Sequence, residues 1–195
     1  MSPLQEESMI FFIFLALVII FVAAAVSGYN SLIQIRNQVR NAWKQIDVQL
    51  KRRHDLIPNL VNAVKGQMEF EKGTLEGVIQ ARAAAVGASN IADSMAKEDV
   101  LSSALSKLFA VVENYPTLKA NESVKPLMEE LTTTENQITF ARQFYNDITT
   151  TYNTKLEMFP TNLFASSMGF KFFPLFQVKE AAEREAPTVD LSLKK

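Results

Sequence analysis

The longest apolar run of the chain lies close to its N-terminus. Residues 9–26 (MIFFIFLALVIIFVAAAV) contain neither a charged nor a hydrogen-bonding polar side chain. As an α-helix the run extends for about 27 Å, close to the ~30 Å hydrocarbon core of a bilayer. We therefore predict a transmembrane helix over 9–28, preceded by a short extracytoplasmic tail over 1–8. A cleaved signal peptide is the alternative, but it needs basic residues before the run and the chain has none there.

Beyond the run, apolar positions recur at alternating spacings of four and three residues, which is typical of helices that pack along a common seam. The first series consists of Leu32, Arg36 (through its aliphatic stem), Val39, Trp43, Ile46, Leu50 and Arg53. Neither glycine nor proline occurs between Tyr29 and Ile57, so the membrane helix is free to continue into the domain as one rod. Pro58 lacks an N–H and predicts either the first turn of a second helix or a kink between two helices. We expect that second helix to extend to about Ala85.

Two further seams follow a small, polar stretch at 87–96 that predicts a loop. The third helix carries the seam Leu101, Leu105, Leu108, Val112 and Tyr115. The fourth carries Leu127, Leu131, Thr134, Ile138, Ala141, Tyr145, Ile148 and Tyr152. Pro116 and Pro160 end these two helices, and no stretch alternates apolar and polar residues for long enough to indicate a strand. The predicted fold class is all-α: a transmembrane helix that continues into an antiparallel bundle of three to four long helices over 29–158.

Residues 159–176 (FPTNLFASSMGFKFFPLF) differ from the rest of the domain, because they are rich in phenylalanine and carry one charge, Lys171. This segment is predicted either to fold over the end of the bundle or to meet the membrane surface or a neighbouring subunit. The candidate interaction surface consists of Phe164, Phe170, Phe172, Phe173 and Phe176. Residues 177–195 are charged, and we expect them to form a loosely ordered tail.

Basic residues predict the orientation of the membrane helix. None precedes the apolar run, whereas Arg36, Arg40 and Lys44 follow it closely. The excess of basic residues places the helical domain in the cytoplasm and the N-terminus outside. Tyr29, Arg36 and Arg40 are the candidate contacts to lipid headgroups. The basic run 51–53 lies about 39 Å along a continuous helix from the end of the apolar run, so we expect it to pair with acidic groups on a facing helix or a partner.

Polar side chains near the seams are predicted to specify how the bundle packs. Buried polar groups at such positions usually fix register and partner choice. The candidates are Asp47, Arg52, Asn59, Glu135, Asn136, Arg142, Asn146 and Asn153. A ligand-binding pocket is the alternative role for the group on the fourth helix.

The composition removes several kinds of chemistry. The chain has no cysteine and a single histidine, His54, so thiolate nucleophiles and two-histidine metal sites are excluded. No glycine-rich phosphate loop occurs, and the net charge of −1 gives no reason to expect nucleic acid as a partner. His54 stands beside Asp55 with no identifiable nucleophile, so ordinary packing is the favoured role. We predict a protein that is not an enzyme and has no cofactor, metal or small-molecule substrate.

Several sequence blocks resemble the LemA family of bacterial membrane proteins. These are AWKQIDVQLKRRHDLIPNLVNAVKG at 42–66, TLEGVIQARAAA at 74–85, and the stretch 105–165 with its motifs YPTLKAN, TEN and YNDITTTYN. The resemblance covers the chain from Tyr29 to Phe176. It implies a single-pass protein of the bacterial inner membrane with its N-terminus outside and a cytoplasmic helical domain. It implies no catalytic residues, because no chemistry is established for the family.

These observations predict a membrane-anchored helical scaffold or adaptor. Long seams, surplus aromatic surface and a membrane helix that orients every copy favour self-assembly, and another membrane protein is a further candidate partner. The alternative is a regulatory subunit of a membrane protease or signalling enzyme, because a helical adaptor and a helical regulator have the same sequence pattern.

Overall fold

The computed structural model describes residues 3–66, 68 and 71–176, and its regular structure within these residues is helical, with no strand. The elements are α1 (Pro3–Val64), α2 (Lys72–Val86), α3 (Ile91–Glu113), α4 (Pro116–Lys119), α5 (Val124–Glu157) and a 3-10 turn (Thr161–Leu163). The predicted all-α fold with a long apolar N-terminal helix is confirmed. The charged tail predicted at 177–195 lies outside the described residues.

Helix α1 contains the apolar run and continues from it into the bundle without interruption. It has 62 residues, which corresponds to about 93 Å of helix. Its apolar part is long and apolar enough to cross a membrane, and none of that stretch is buried in the protein. Leu32 is the first buried side chain along the described part of the helix. One helix therefore joins an exposed apolar rod to the core of the domain.

The predicted helix boundary at Pro58 is wrong, because α1 passes through this residue and ends at Val64. Proline has no N–H to donate to the carbonyl oxygen four residues earlier, which is that of His54. In this protein the Nε of Arg82, on α2, donates to the His54 oxygen at 2.6 Å. The carbonyl is therefore satisfied from a neighbouring helix. Helix α1 ends at Val64, and α2 begins at Lys72. The predicted second helix is therefore divided between the last turns of α1 and the whole of α2.

The predicted loop at 87–96 is shorter than expected, because α3 begins at Ile91. Asn90 caps this helix: its side-chain oxygen accepts from the backbone N–H of Asp93 at 3.0 Å. Such a cap satisfies one of the N–H groups that the first turn leaves without a partner. The connection between α2 and α3 is thus limited to 87–90, and the two helices form a tight hairpin.

Helices α1 and α5 pack antiparallel along most of the domain. Arg52 pairs with Glu130 near the start of α5, whereas Lys155, near its end, donates to Ser31 near the start of the domain. The α2–α3 hairpin packs against this pair from the far end of α1 back towards the apolar run, and its turn at 87–90 lines a groove with Trp43. Arg53, His54 and Arg82 provide polar contacts between the hairpin and α1.

The buried apolar residues form two clusters along the bundle. The cluster near the apolar run contains Leu32, Val39, Ala42, Ile46, Leu50, Met95, Ile138, Tyr145, Tyr152, Leu156, Ala165 and Phe170. The far cluster contains Ile57, Leu60, Val61, Val64 and Met68 together with buried residues of α2, α3, α4 and α5. On α1, Leu50 belongs to the first cluster and Ile57 to the second. The residue that occupies the seam between them is Arg53.

Candidate functional site

A buried ionic layer separates the two apolar clusters. The side chain of Arg53 is 0% exposed, and its guanidinium pairs with Glu98 of α3, whose side chain is 2% exposed. The same guanidinium pairs with Glu135 of α5 and donates to the hydroxyl of Ser102 at 2.8 Å. Ser102 in turn donates to Glu135 at 3.0 Å. These residues, which we call the ionic layer, connect α1, α3 and α5 at one level of the bundle.

His54 extends the ionic layer on the α1 side. Its Nε2 lies 2.8 Å from a carboxylate oxygen of Glu98. Burial alone would raise the pKa of Glu98, but His54 and Arg53 outweigh burial and hold this pKa below its usual range. Glu98 is therefore a carboxylate held ionised between two basic side chains. This arrangement fixes the positions of three helices, because each charge needs its partner in a low-dielectric environment.

The sequence pattern identifies only Glu135 of this layer as a candidate. It places Arg53 on the first seam without selecting it, although a charge in an otherwise apolar series is a usable signal. Glu98 is missed because the pattern begins the third helix at Leu101. Glu98 stands three residues before Leu101 and continues the same seam, so a longer predicted helix would include it. Arg52 is a predicted candidate, but it pairs with Glu130 at 2.7 Å on the exposed surface.

The aromatic segment is attached to α5 by two asparagine side chains. The amide of Asn153 donates to the carbonyl oxygen of Phe173 at 3.0 Å and accepts from its N–H at 3.1 Å. Asn146 forms the same pair of bonds with Phe176, at 3.1 and 3.0 Å. Gly169, whose φ is +77°, allows the chain to turn before this segment. The two asparagines thus act as a clamp on residues 170–176.

The spacing of the clamp follows from helix geometry. Seven residues separate Asn146 from Asn153, which is about 10.5 Å along a helix. Three residues separate Phe173 from Phe176, which is about 10 Å in an extended chain. The two repeats match, so consecutive double hydrogen bonds form without strain. The repeated Tyr-Asn pair in YNDITTTYN therefore encodes an extended segment docked along α5.

Two tyrosines complete the clamp. The hydroxyl of Tyr145 donates to the carbonyl oxygen of Pro174 at 2.9 Å, and that of Tyr152 donates to the oxygen of Lys171 at 3.1 Å. Burial raises the pKa of both tyrosines, so both hydroxyls stay protonated and able to donate. Trp43 of α1 closes the site by stacking on Phe176, with ring centroids 6.1 Å apart.

The candidate lipid contacts lie where the aromatic segment meets α1. The rings of Tyr29 and Phe170 pack edge to face with centroids 5.7 Å apart. The guanidinium of Arg36 lies 5.1 Å from the centre of the same Phe170 ring. Arg40, one turn further along α1, is exposed. The structure thus brings Tyr29 and Arg36 to one phenylalanine and leaves Arg40 open to solvent.

The remaining candidates are distributed differently from the prediction. Phe170 is buried, while Phe164, Phe173 and Phe176 are partly buried and Phe172 is exposed. Most of the proposed interaction surface therefore faces the protein's own bundle. Arg142 of α5 bonds to Asp99 at 3.1 Å. Asp47, Asn59 and Asn136 are exposed and belong neither to the ionic layer nor to the clamp. No group of three or more His, Asp or Glu side chains within the described part of the chain could hold a metal ion.

Comparison with known proteins supports one family. The model of the LemA family matches residues 42–191. The chain is 28% identical to Protein LemA of Metamycoplasma hominis over 97% of this chain and 87% of that protein. It is 26% identical to Magnetosome protein MamQ 2 of Paramagnetospirillum magneticum over 89% of this chain and 74% of the relative. It is 23% identical to Magnetosome protein MamQ of Magnetospirillum gryphiswaldense over 84% and 70%, respectively.

The matched range includes the ionic residues Arg53 and Glu98 and both asparagines of the clamp. It begins after the apolar run, so the candidate membrane span in α1 is a separate observation. The exposed apolar part of α1 is consistent with a membrane-associated protein. The family match covers most of the chain, and this protein therefore belongs to the LemA family.

Proposed function

We propose that this protein is a membrane-anchored, non-enzymatic helical scaffold that assembles with copies of itself. The exposed apolar part of α1 supports the anchor, because its length matches the hydrocarbon core of a bilayer. The basic residues Arg36, Arg40 and Lys44 follow that part and none precedes it, which supports a cytoplasmic location for the helical domain.

The observation that carries self-assembly is an apolar patch halfway along the bundle. Val48 of α1 and Phe140 and Phe144 of α5 are exposed, and they line a shallow groove between the two helices. The most exposed of the three is Phe140, at 70%. Isolated exposed apolar residues are common, but adjacent large ones on facing helices are typical of interaction sites. We call these three residues the mid-bundle patch.

A second copy fits this patch because of the anchor. All copies in one membrane share the same orientation, so each presents its mid-bundle patch at the same height. Val48 lies about 30 Å along α1 from Gly28. A two-fold axis along the membrane normal brings two patches of equal height together in a symmetric contact. Confinement to a membrane raises the effective concentration, so a modest patch is sufficient.

Sedimentation of the detergent-solubilised protein, with its apolar N-terminal run, tests the proposal. We expect an oligomer for the natural chain and a monomer for the double variant Phe140→Gln and Phe144→Gln. The matched control is Thr139→Ala with Thr150→Ala, which changes exposed residues on another face of α5 and should leave the mass unchanged. A natural chain that remains a monomer at every concentration contradicts self-assembly. A stoichiometric second protein in mildly extracted complexes would instead favour the regulatory-subunit alternative.

A further inference from the structure

We propose that a collar of apolar side chains at the end of α5 inserts into the surface of the same bilayer that holds α1. The collar consists of Met158, Phe159, Leu163, Met168 and Phe172. This inference rests on the proposed membrane anchor, and it assigns a lipid-binding surface to the domain itself. The occupant is the boundary between headgroups and acyl chains.

The collar residues are large and apolar, and their side chains are highly exposed, which is unfavourable in water. Each is more than half exposed, from 53% for Met168 to 75% for Phe159. They follow one another within a short stretch after α5 rather than being scattered over the domain. Large exposed apolar patches of this kind mark surfaces that bind another apolar phase.

Contacts with α1 fix the height of the collar relative to the membrane helix. Lys155, one turn before the collar, donates to Ser31 at 2.5 Å. A Cβ at Gly28 would lie 3.2 Å from the ring of Phe164 and 3.5 Å from the hydroxyl of Thr161. Both neighbours belong to the stretch that carries the collar. The part of the stretch that carries Met158, Phe159 and Leu163 therefore lies near the level of residue 28, where the predicted membrane span ends.

The collar is held in place before any lipid binds. Its chain is fixed beyond Gly169 by Phe170, which packs on Tyr29, and then by the Asn153 clamp. Exposed aromatic side chains on a chain that is already ordered lose little conformational freedom on insertion. Exposed apolar side chains on an ordered segment are thus pre-arranged for a flat apolar surface.

Charged residues next to the collar match the chemistry of a lipid headgroup layer. The basic residues just beyond it are Arg36, Arg40, Lys155 and Lys171. In the two stretches that form this end of the domain, 29–46 and 148–176, the sequence has a single acidic residue, Glu157. An apolar zone followed by a basic zone is the order in which a bilayer presents its acyl chains and its anionic headgroups.

The absence of cysteine from the chain allows a direct test. Single-cysteine variants Phe159→Cys and Leu163→Cys are spin-labelled and reconstituted into vesicles of phosphatidylcholine and phosphatidylglycerol. The matched control is Val100→Cys on α3, which replaces an apolar side chain that is 57% exposed and belongs neither to the collar nor to the mid-bundle patch. Ile19→Cys reports the anchor. Collisions of each label with oxygen, which concentrates in the membrane, are compared with collisions with a water-soluble nickel complex.

We expect the ratio of oxygen to nickel collisions at residues 159 and 163 to exceed that at residue 100 several-fold. An equal ratio, with the Ile19 label in lipid, overturns the collar and leaves the anchor intact. A water-exposed Ile19 label overturns the anchor, and the collar with it. Labels shielded from both reagents show that protein covers the collar and also overturn it. An unchanged emission spectrum of Trp43, which stacks on Phe176, verifies that each variant is folded.

Discussion

The guanidinium of Arg82 takes the place of the backbone donor that Pro58 removes from α1. A proline inside a helix costs about 3 kcal/mol, partly because the carbonyl four residues earlier loses its partner. Here that carbonyl belongs to His54, and Arg82 donates to it at 2.6 Å. The charged donor comes from α2, so continuity of α1 depends on the docked hairpin.

A double-mutant cycle tests this relationship. Arg82→Met should lower the free energy of unfolding by about 1.5–3 kcal/mol, the usual contribution of a hydrogen bond to a charged group. In the Pro58→Ala background the same change should cost clearly less, because the introduced alanine supplies its own N–H to the carbonyl. Urea unfolding in detergent, followed by circular dichroism, measures the free energy of unfolding of the natural chain, the two single variants and the double variant. Equal costs in the two backgrounds would show that the proline and the arginine act independently.

The ionic layer should respond strongly to loss of one charge. Glu98→Gln leaves Arg53 buried with Glu135 as its remaining carboxylate partner, and breaking a buried pair in this way costs up to about 3–5 kcal/mol. Glu130→Gln is the matched control, because it removes the partner of Arg52 on the exposed surface, where a pair contributes about 0–1 kcal/mol. Urea unfolding of both variants provides the comparison. Similar losses in the two would contradict a special role for burial.

The same carboxylate predicts a dependence of stability on pH. The pKa of Glu98 lies below its model-peptide value of 4.5 in the folded protein. Between these two pKa values the unfolded chain takes up a proton that the folded protein does not, so the contribution of Glu98 is complete above about 4.5 and declines as the pH falls through the folded-state pKa. The destabilisation by Glu98→Gln should therefore be largest near neutral pH and shrink in acid. Unfolding midpoints of both proteins across this range measure it; a constant difference would disprove the assignment.

The asparagine clamp should control access to the aromatic segment. Asn153→Ala removes two hydrogen bonds to Phe173, at about 1 kcal/mol each, so opening of the segment should increase by roughly ten- to thirty-fold. Trypsin cleavage after Lys171 and the emission of Trp43 report this opening. Asn136→Ala, on an exposed face of the same helix, is the control. Unchanged cleavage in the Asn153 variant would mean that packing alone holds the segment.

Most of the bundle could be predicted, because the buried face of a helix requires apolar residues at regular spacings along the sequence. Leu101, Leu105, Leu108 and Val112 are all buried, as their spacing indicates. The expectation that the basic run pairs with acidic groups on facing helices agrees with the contacts of Arg52 and Arg53. These features depend on the four-and-three spacing of the apolar residues and on distances along a continuous helix. Both can be read from a single sequence.

Other features depend on contacts between distant parts of the chain. A proline inside a helix usually kinks or breaks it, and the compensating donor at Pro58 is Arg82, 24 positions later in the chain. The asparagines at 146 and 153 are recognisable as unusual, but their partners are backbone groups, which no side-chain pattern identifies. The direction of the aromatic segment follows from those bonds alone. Local patterns therefore predict the helices, whereas tertiary contacts determine the ionic layer and the clamp.

Because α1 is continuous, a change in the tilt of its apolar part moves the far end of the domain. From Gly28 to Val64 the helix extends for about 54 Å beyond the end of the predicted membrane span. Membrane helices adjust their tilt to the thickness of the bilayer around them. A tilt change of about 10° would swing the far tip of a rigid rod of this length sideways by about 9 Å. The open end of the α2–α3 hairpin, which packs near that tip, would then move by nearly the width of a helix whenever the membrane becomes thinner or thicker.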